Sequence, residues 1–233
     1  MNPAALLNDR LKTHHKAAAA CLSDLGQRMF FPQGIPAQAA EARGTEVNAT
    51  IGQLTDGAGG ALPLRALSQY VDGLDLRDVF LYTPQGGQKP LRAAWAARLT
   101  CPGDAPITSP FVTVGLTHGL SLMGDLFADE DTDVLLPDPG WGNYDLIFGA
   151  RRGARIVRYP VFRDGSFCAE ALTEALAQVR TKAVVVLNFP GNPTGYTPSQ
   201  DELRPWLDAI AASDKPLVVL SDDAYAGFVY EPG

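Results

Sequence analysis

From Phe111 onward the chain alternates short apolar runs with segments of helical spacing, and that alternation limits the folds open to it. The apolar runs are 111–114, 133–136, 155–161, 182–188 and 217–221, and the helical segments are 117–128, 142–149, 169–179 and 199–212. Such βαβ units build a mostly parallel sheet covered on both faces, a three-layer αβα arrangement of the α/β class. Ahead of it, residues 4–28 have helical spacing, with Leu7, Leu11, Cys21, Leu22 and Leu25 as a candidate buried stripe. Phe30–Pro36 is too rich in Pro and Gly for periodic structure, Val47–Gly52 reads as a short strand, and Asp56–Gly60 as a flexible turn. Helical segments near 63–72 and 88–99 flank the loop Tyr82–Gly87, and Cys101–Pro106 reads as the entry into the sheet.

Composition narrows the function classes. Apolar residues make up 46% of the 233 and charged ones 19%, which argues against disorder. The 19 basic and 26 acidic residues leave a net charge of −7, the wrong sign for a nucleic-acid surface. No run of 18 apolar residues is present to span a membrane. Ala17–Cys21 has the look of a lipoprotein cleavage site, but Asn8–Lys16 breaks the apolar core that a signal peptide needs. Cys21, Cys101 and Cys168 are odd in number and far apart, which suits a reduced, cytoplasmic protein.

Ligands of open α/β sheets bind outside the carboxyl ends of the strands, where this chain concentrates unusual residues. Gly115-Leu116-Thr117-His118-Gly119 opens a helix after the first run, and a helix N-terminus suits a phosphate. A plain strand–helix turn capped by Thr117 would use the same residues, and His118 reads as a loop residue at the site's edge. Trp141 sits among Pro137, Pro139, Gly140 and Gly142. Its indole can stack on a flat heteroaromatic ring, or anchor the loop in the core. Leu187-Asn188-Phe189-Pro190-Gly191-Asn192-Pro193-Thr194-Gly195 ends the fourth run in a turn that presents an amide donor, Asn192. Asp222 follows the apolar run 217–220, with Asp223 as a competing acid and Tyr225 three residues on. A carboxylate there is costly unless paired, and a protonated pyridine nitrogen is a suitable partner.

Taken together, Asn-Pro-Thr-Gly and Asp-x-Ala-Tyr resemble the cofactor cradle of the class I/II aminotransferases, which use pyridoxal phosphate; the resemblance runs from about Val47 to Gly233. It implies that Gly115, Leu116 and Thr117 bind the phosphate, that Trp141 stacks on the ring, that Asn192 and Tyr225 bond the ring oxygen, and that Asp222 pairs with the ring nitrogen. It also implies that Tyr82 reaches the phosphate of a neighbouring subunit in a homodimer, and that Ile51 and Gly52 line the substrate entrance beside Trp141 and Asn192. Asn192-Pro193 and Asp138-Pro139 fall where this family tends to have cis bonds. Residues 1–60 would form an N-terminal arm and part of a small domain, and 61–233 an incomplete large, cofactor-binding domain.

The match has departures. Gly115-Leu116-Thr117 stands where the aspartate enzymes have Ser-Gly-Thr, so one hydroxyl donor is missing. The Schiff-base lysine in its Ser-x-x-Lys setting is expected beyond Gly233, as are a phosphate arginine and the arginine for the substrate carboxylate. No residue of 1–233 is therefore expected to be catalytic, and no metal is expected. The implied reaction is transfer of an amino group between an amino acid and a 2-oxo acid, with the 233-residue polypeptide inactive and its gene truncated or a fragment. Two further strands are implied between the 111–114 strand and the strand ending at Asn188, which would leave 111–114 without a ladder partner. A lyase or synthase of the same fold, a ligand-binding regulatory module and a cofactor-binding pseudoenzyme share the same cradle.

Overall fold

The computed structural model describes residues 4–29, 34–52, 55–71, 73–99 and 107–229. They form two compact units, one made of residues 1–32 and 115–233 and the other of 33–114. The expected entry into the sheet at Cys101–Pro106 lies outside the described residues.

The amino-terminal segment is three short helices rather than one: α1 (Ala5–His14), α2 (Lys16–Ala20) and α3 (Asp24–Arg28). The last break has a local cause, since the Ser23 side chain accepts the Gly26 N–H and starts a new helix. The expected stripe is only half made. Leu11, Leu22 and Leu25 are half-buried, while Leu7 and Cys21 are exposed.

The second unit holds α4 (Ile35–Glu41), α5 (Arg65–Val71), α6 (Leu76–Phe80) and α7 (Lys89–Ala96). Helix α4 begins inside the stretch expected to be aperiodic. Asp56 Oδ1 closes the turn before it is bridged at Thr55 and Ala61, by accepting the Ala58 and Gly60 amides at 2.9 Å each. The expected strand at Val47–Gly52 is absent. Asn48 Oδ1 accepts the Thr50 amide at 3.2 Å and its hydroxyl at 2.7 Å, so a side chain takes up the one amide bond at Thr50 that a ladder could have used. Residues 111–114 are not a strand either. The Val112 amide donates to the Gly86 carbonyl at 3.0 Å, and apolar character alone does not make a strand without a ladder. Gly87, at φ +95°, allows this approach, because a Cβ there would fall 2.2 Å from Val112 Cγ2.

The sheet lies in the first unit. Helix α8 (Gly115–Phe127) leads into β1 (Thr132–Asp138), a π-helix (Asp145–Ala150) and β2 (Arg155–Pro160). After a small hairpin, β3 (Phe162–Arg163) and β4 (Ser166–Phe167), come α9 (Ala171–Leu176), β5 (Lys182–Asn188), α10 (Gln200–Ala211) and β6 (Leu217–Asp222). The order is β2-β1-β5-β6, all parallel. The strand ending at Asn188 is thus interior, and β6 takes the edge position that the implied order gave to it; this corrects that expectation.

Side chains alternate between two cores. Val134, Leu136, Val184 and Val186 pack with Leu120 of α8 and with Ile147 and Phe148 of the π-helix. Leu135, Val157, Val185 and Leu187 pack with Leu172 of α9 and Trp206 of α10. Three layers result, as expected, with β1 buried on both faces. Helix α10 is started by a reciprocal cap, in which Ser199 Oγ accepts the Glu202 amide and the Glu202 carboxylate accepts the Ser199 amide. Among the described residues no helix is long and apolar enough to cross a membrane.

Candidate active site

Because β1, β5 and β6 run parallel, their carboxyl ends emerge on one rim, and three successive loops meet there. An open cleft of about 190 Å³ at this rim is lined by Thr117, Trp141, Tyr144, Asn192, Asp222 and Tyr225, together with Leu116, Leu120, Asn188 and Ala224. Its walls are mainly apolar with a few convergent polar groups. Asp138-Pro139 and Asn192-Pro193 are both cis, and so is Phe189-Pro190, which was not expected.

Register fixes the floor. Asn188 and Asp222 are cross-strand partners at the ends of β5 and β6, and both are buried. Asn188 Nδ2 donates to the Asp222 carbonyl at 2.9 Å, and Asn188 Oδ1 accepts the Asn192 amide at 2.8 Å. One amide side chain thereby ties both strand ends to the Asn-Pro-Thr-Gly turn. At that turn Asn192 Nδ2 donates to Tyr225 Oη at 3.2 Å, which places two polar groups side by side where one ring oxygen could meet both.

Asp222 and Asp223 separate cleanly: Asp222 is 9% exposed, whereas Asp223 is exposed. Asp222 Oδ2 accepts the Tyr144 hydroxyl at 2.5 Å, and Oδ1 accepts the Ala224 amide at 3.3 Å. None of the ion pairs among the described residues includes it. Burial, then the bond to Asp222, raises the Tyr144 hydroxyl far above its ordinary range, so it stays protonated and can only donate here. Trp141 is half-buried and meets the Tyr144 ring edge-on at 5.2 Å and 87°.

On the opposite wall, Leu116 and Thr117 lie in the first turn of α8, a 13-residue helix whose first amides point out of its N-terminus. Gly115 opens it at φ +75°, with open space where a Cβ would stand. His118 lies within this helix and is exposed, not in a loop as expected. Tyr82, Ile51 and Gly52 belong to the other unit, where all three are exposed.

Two residues of the site escape sequence reading, Tyr144 and Asn188. Both are bound to Asp222, across 78 and 34 residues respectively. The only available signal was that Asn188 interrupts an otherwise apolar strand at its last position.

This parallel sheet, with a buried acid, an indole and a helix N-terminus around one cleft, has counterparts among known proteins. Residues 45–233 match the family of aminotransferases class I and II, and the chain belongs to it. Members of this family depend on pyridoxal phosphate, and the donor set fits that cofactor: a buried carboxylate with no cation partner among the described residues for the pyridine nitrogen, an indole for its ring, and helix amides for its phosphate. A probable N-succinyldiaminopimelate aminotransferase of Mycobacterium tuberculosis is 33% identical over 156 residues, covering 64% of this chain and 38% of that protein. The S-alkyl-thiohydroximate lyase of Arabidopsis thaliana is 29% identical over 191 residues, covering 78% of this chain and 40% of that protein. An aminotransferase structure from Anaerococcus prevotii superposes with a TM-score of 0.72 at 22% identity, over 83% of this chain and 52% of that one, and shows the common fold. The chain thus spans about 38–40% of the length of these two sequence relatives.

Proposed function

We propose that this chain is the cofactor-cradling part of an aminotransferase that moves an amino group between an amino acid and a 2-oxo acid. The observation that carries the reading is Asp222: a buried carboxylate with a hydroxyl and an amide for partners but no cation, facing a cleft. When bound, pyridoxal phosphate supplies an electron sink for the bonds at the amino acid's α-carbon.

In this reading Asp222 holds the ring nitrogen, Trp141 covers the ring face, and Asn192 and Tyr225 both donate to the ring oxygen. Gly115, Leu116 and Thr117 receive the phosphate at the amino end of α8. Ile51 and Gly52, with Trp141 and Asn192, border the substrate, and Tyr82 serves the site of a second subunit in a cytoplasmic homodimer. The first 60 residues belong to an arm and small domain, and 61–233 to the large domain. No lysine lines the cleft among the described residues, so these residues bind and orient but do not move the α-proton. The 233-residue polypeptide is accordingly expected to bind cofactor without turnover. Measured turnover of an amino acid and a 2-oxo acid by purified polypeptide would contradict this.

A second reading has its own support in the likeness to an S-alkyl-thiohydroximate lyase, which covers more of this chain than the likeness to the mycobacterial aminotransferase. A lyase would use the same cradle. The two separate in a protein that carries the covalent lysine: the aminotransferase consumes a 2-oxo acid stoichiometrically with the amino acid, whereas the lyase works without one.

A further inference from the structure

Asn192 stands on a turn whose tip is bare: Pro193, Thr194 and Gly195 are exposed. The near end is tied down by Asn188, whose Oδ1 accepts the Asn192 amide at 2.8 Å. The far end closes at Tyr196. The Gly191 amide donates to the Tyr196 carbonyl at 2.9 Å, and the Tyr196 amide donates to Thr194 Oγ1 at 3.2 Å. Closure this tight requires glycine at 191, where a Cβ would stand 2.7 Å from Thr194 Oγ1.

The Tyr196 side chain is anchored outside the turn. Its hydroxyl donates to Glu202 Oε1 at 2.7 Å, while Glu202 Oε2 accepts the amide and the hydroxyl of Ser199 at 2.8 Å each. One carboxylate thus caps α10 and holds the tyrosine. These donors, the Ser199 amide foremost, keep the Glu202 carboxyl below its ordinary range. Burial, then the bond to Glu202, pushes the Tyr196 hydroxyl up to about 12. At neutral pH the pair is therefore a phenol donating to a carboxylate, a charge-assisted bond. The tyrosine ring meets Phe162 of β3 edge-on at 5.0 Å and stacks on Phe167 of β4 at 6.0 Å. Tyr196 itself does not line the cleft.

We propose that Tyr196 is a positioning residue for Asn192: by tying its phenol to Glu202 at the start of α10 it fixes the far end of the turn, and so holds Asn192 Nδ2 beside Tyr225 Oη where both can meet the ring oxygen. A turn with an exposed tip keeps its shape through its ends. Loss of the far anchor would let it pivot on the Asn188 tie and carry Asn192 Nδ2 out of its 3.2 Å contact with Tyr225 Oη. A donor held in place before the ligand arrives binds without an ordering cost. Tyr196 touches neither the ring nor the substrate in this account; it acts through Asn192. The inference rests on the cofactor reading of the same cleft.

The test compares two ligands that differ by one oxygen. One is the cofactor analogue 4′-deoxypyridoxine 5′-phosphate, which lacks the aldehyde and so cannot react with surface lysines. The other is its 3-deoxy derivative, with hydrogen in place of the ring hydroxyl. Both are titrated by calorimetry into wild type and into Tyr196→Phe, which keeps the ring packing and removes the bond to Glu202. Wild type should prefer the hydroxyl-bearing ligand by about 100-fold, the worth of two donors on one oxygen. Tyr196→Phe should cut that preference about tenfold and leave affinity for the 3-deoxy ligand within about twofold. A role confined to stability would weaken both ligands alike, so an unchanged preference in Tyr196→Phe would overturn the inference whatever the absolute affinities. Equal binding of the two ligands by wild type would overturn it as well, by removing Asn192 and Tyr225 from the ring oxygen while a cofactor site remained. Failure of wild type to bind either ligand would remove the cofactor reading and this inference with it. Should Tyr196→Phe not fold, Glu202→Asp takes its place, since it keeps a negative charge in the first turn of α10 and draws the acceptor back from the phenol by one methylene. A lowered preference there supports the inference and an unchanged one opposes it.

Discussion

The two ends of the sheet bury the same functional group and treat it in opposite ways. At the amino end, Asp133 of β1 is fully buried and surrounded by cations. Arg155 grips it with two bonds, at 2.7 and 2.9 Å, and Arg180 adds its backbone amide at 2.7 Å and its guanidinium at 2.9 Å. Burial alone would push the Asp133 carboxyl up, but these donors outweigh it and hold the group well below the ordinary carboxylate range. At the carboxyl end, Asp222 has a hydroxyl and an amide but no cation. Burying a charge is costly unless it is paired. At one end the protein supplies the pair and gains a fixed strand start; at the other, among the described residues, it supplies no cation. In the function proposed above, the difference separates a structural acid from a binding acid, although both stand at strand ends.

Parallel substitutions test that separation most strongly. Asp133→Asn should destabilise the fold by about 3–5 kcal/mol, since it breaks a buried, charge-assisted network. Asp222→Asn should stay within about 1 kcal/mol of wild type or exceed it, because an uncompensated charge is removed and the amide oxygen can still accept from Tyr144. Chemical denaturation of both variants decides it, and equal losses would break the comparison. Asn188→Ala should cost about 2 kcal/mol by unlinking the ends of β5 and β6 from the 189–195 turn, and should loosen cofactor binding as well. Trp141→Ala should weaken the analogue about tenfold, by calorimetry, through loss of ring stacking.

The smallest expected effect is in acid. The exposed Asp129 carboxyl is held down to about 2 by hydrogen bonds from Lys182 and Thr132. A depressed carboxyl contributes stability that is present above its ordinary value near 3.8 and is lost as pH falls toward 2. Asp133 contributes with the same sign. Denaturation midpoints should therefore fall from pH 4 to pH 2, slightly less steeply in Asp129→Asn and much less so in Asp133→Asn.

The same asymmetry explains what the sequence made legible. Strands β1 and β5 announce themselves as apolar runs between helices because both are buried along nearly their whole length, while β2 and β6 show the same alternation though only partly buried. Asp222, Asn192 and Tyr225 were visible because a polar residue at the end of an apolar strand needs a reason. Tyr144 was not, since an aromatic residue in a helical stretch reads as core and its partner lies 78 residues away. Val47–Gly52 and Phe111–Val114 looked like strands from residue type, yet a strand exists only with a partner, and pairing is not written locally. In the first case the Asn48 side chain took up the Thr50 amide. Nothing in the local pattern distinguishes the π-helical turn at 145–150 from the α-helix expected there.

The measurement that bears most directly on the central claim compares two ligands on two proteins. 4′-Deoxypyridoxine 5′-phosphate and its 1-deaza analogue, with C–H in place of the ring nitrogen, are titrated into wild type and Asp222→Asn. If Asp222 awaits a cationic ring nitrogen, wild type prefers the nitrogen ligand by about 100-fold, the worth of a buried charge-assisted bond, and Asp222→Asn loses most of that preference. Equal affinity of wild type for both ligands would contradict the account.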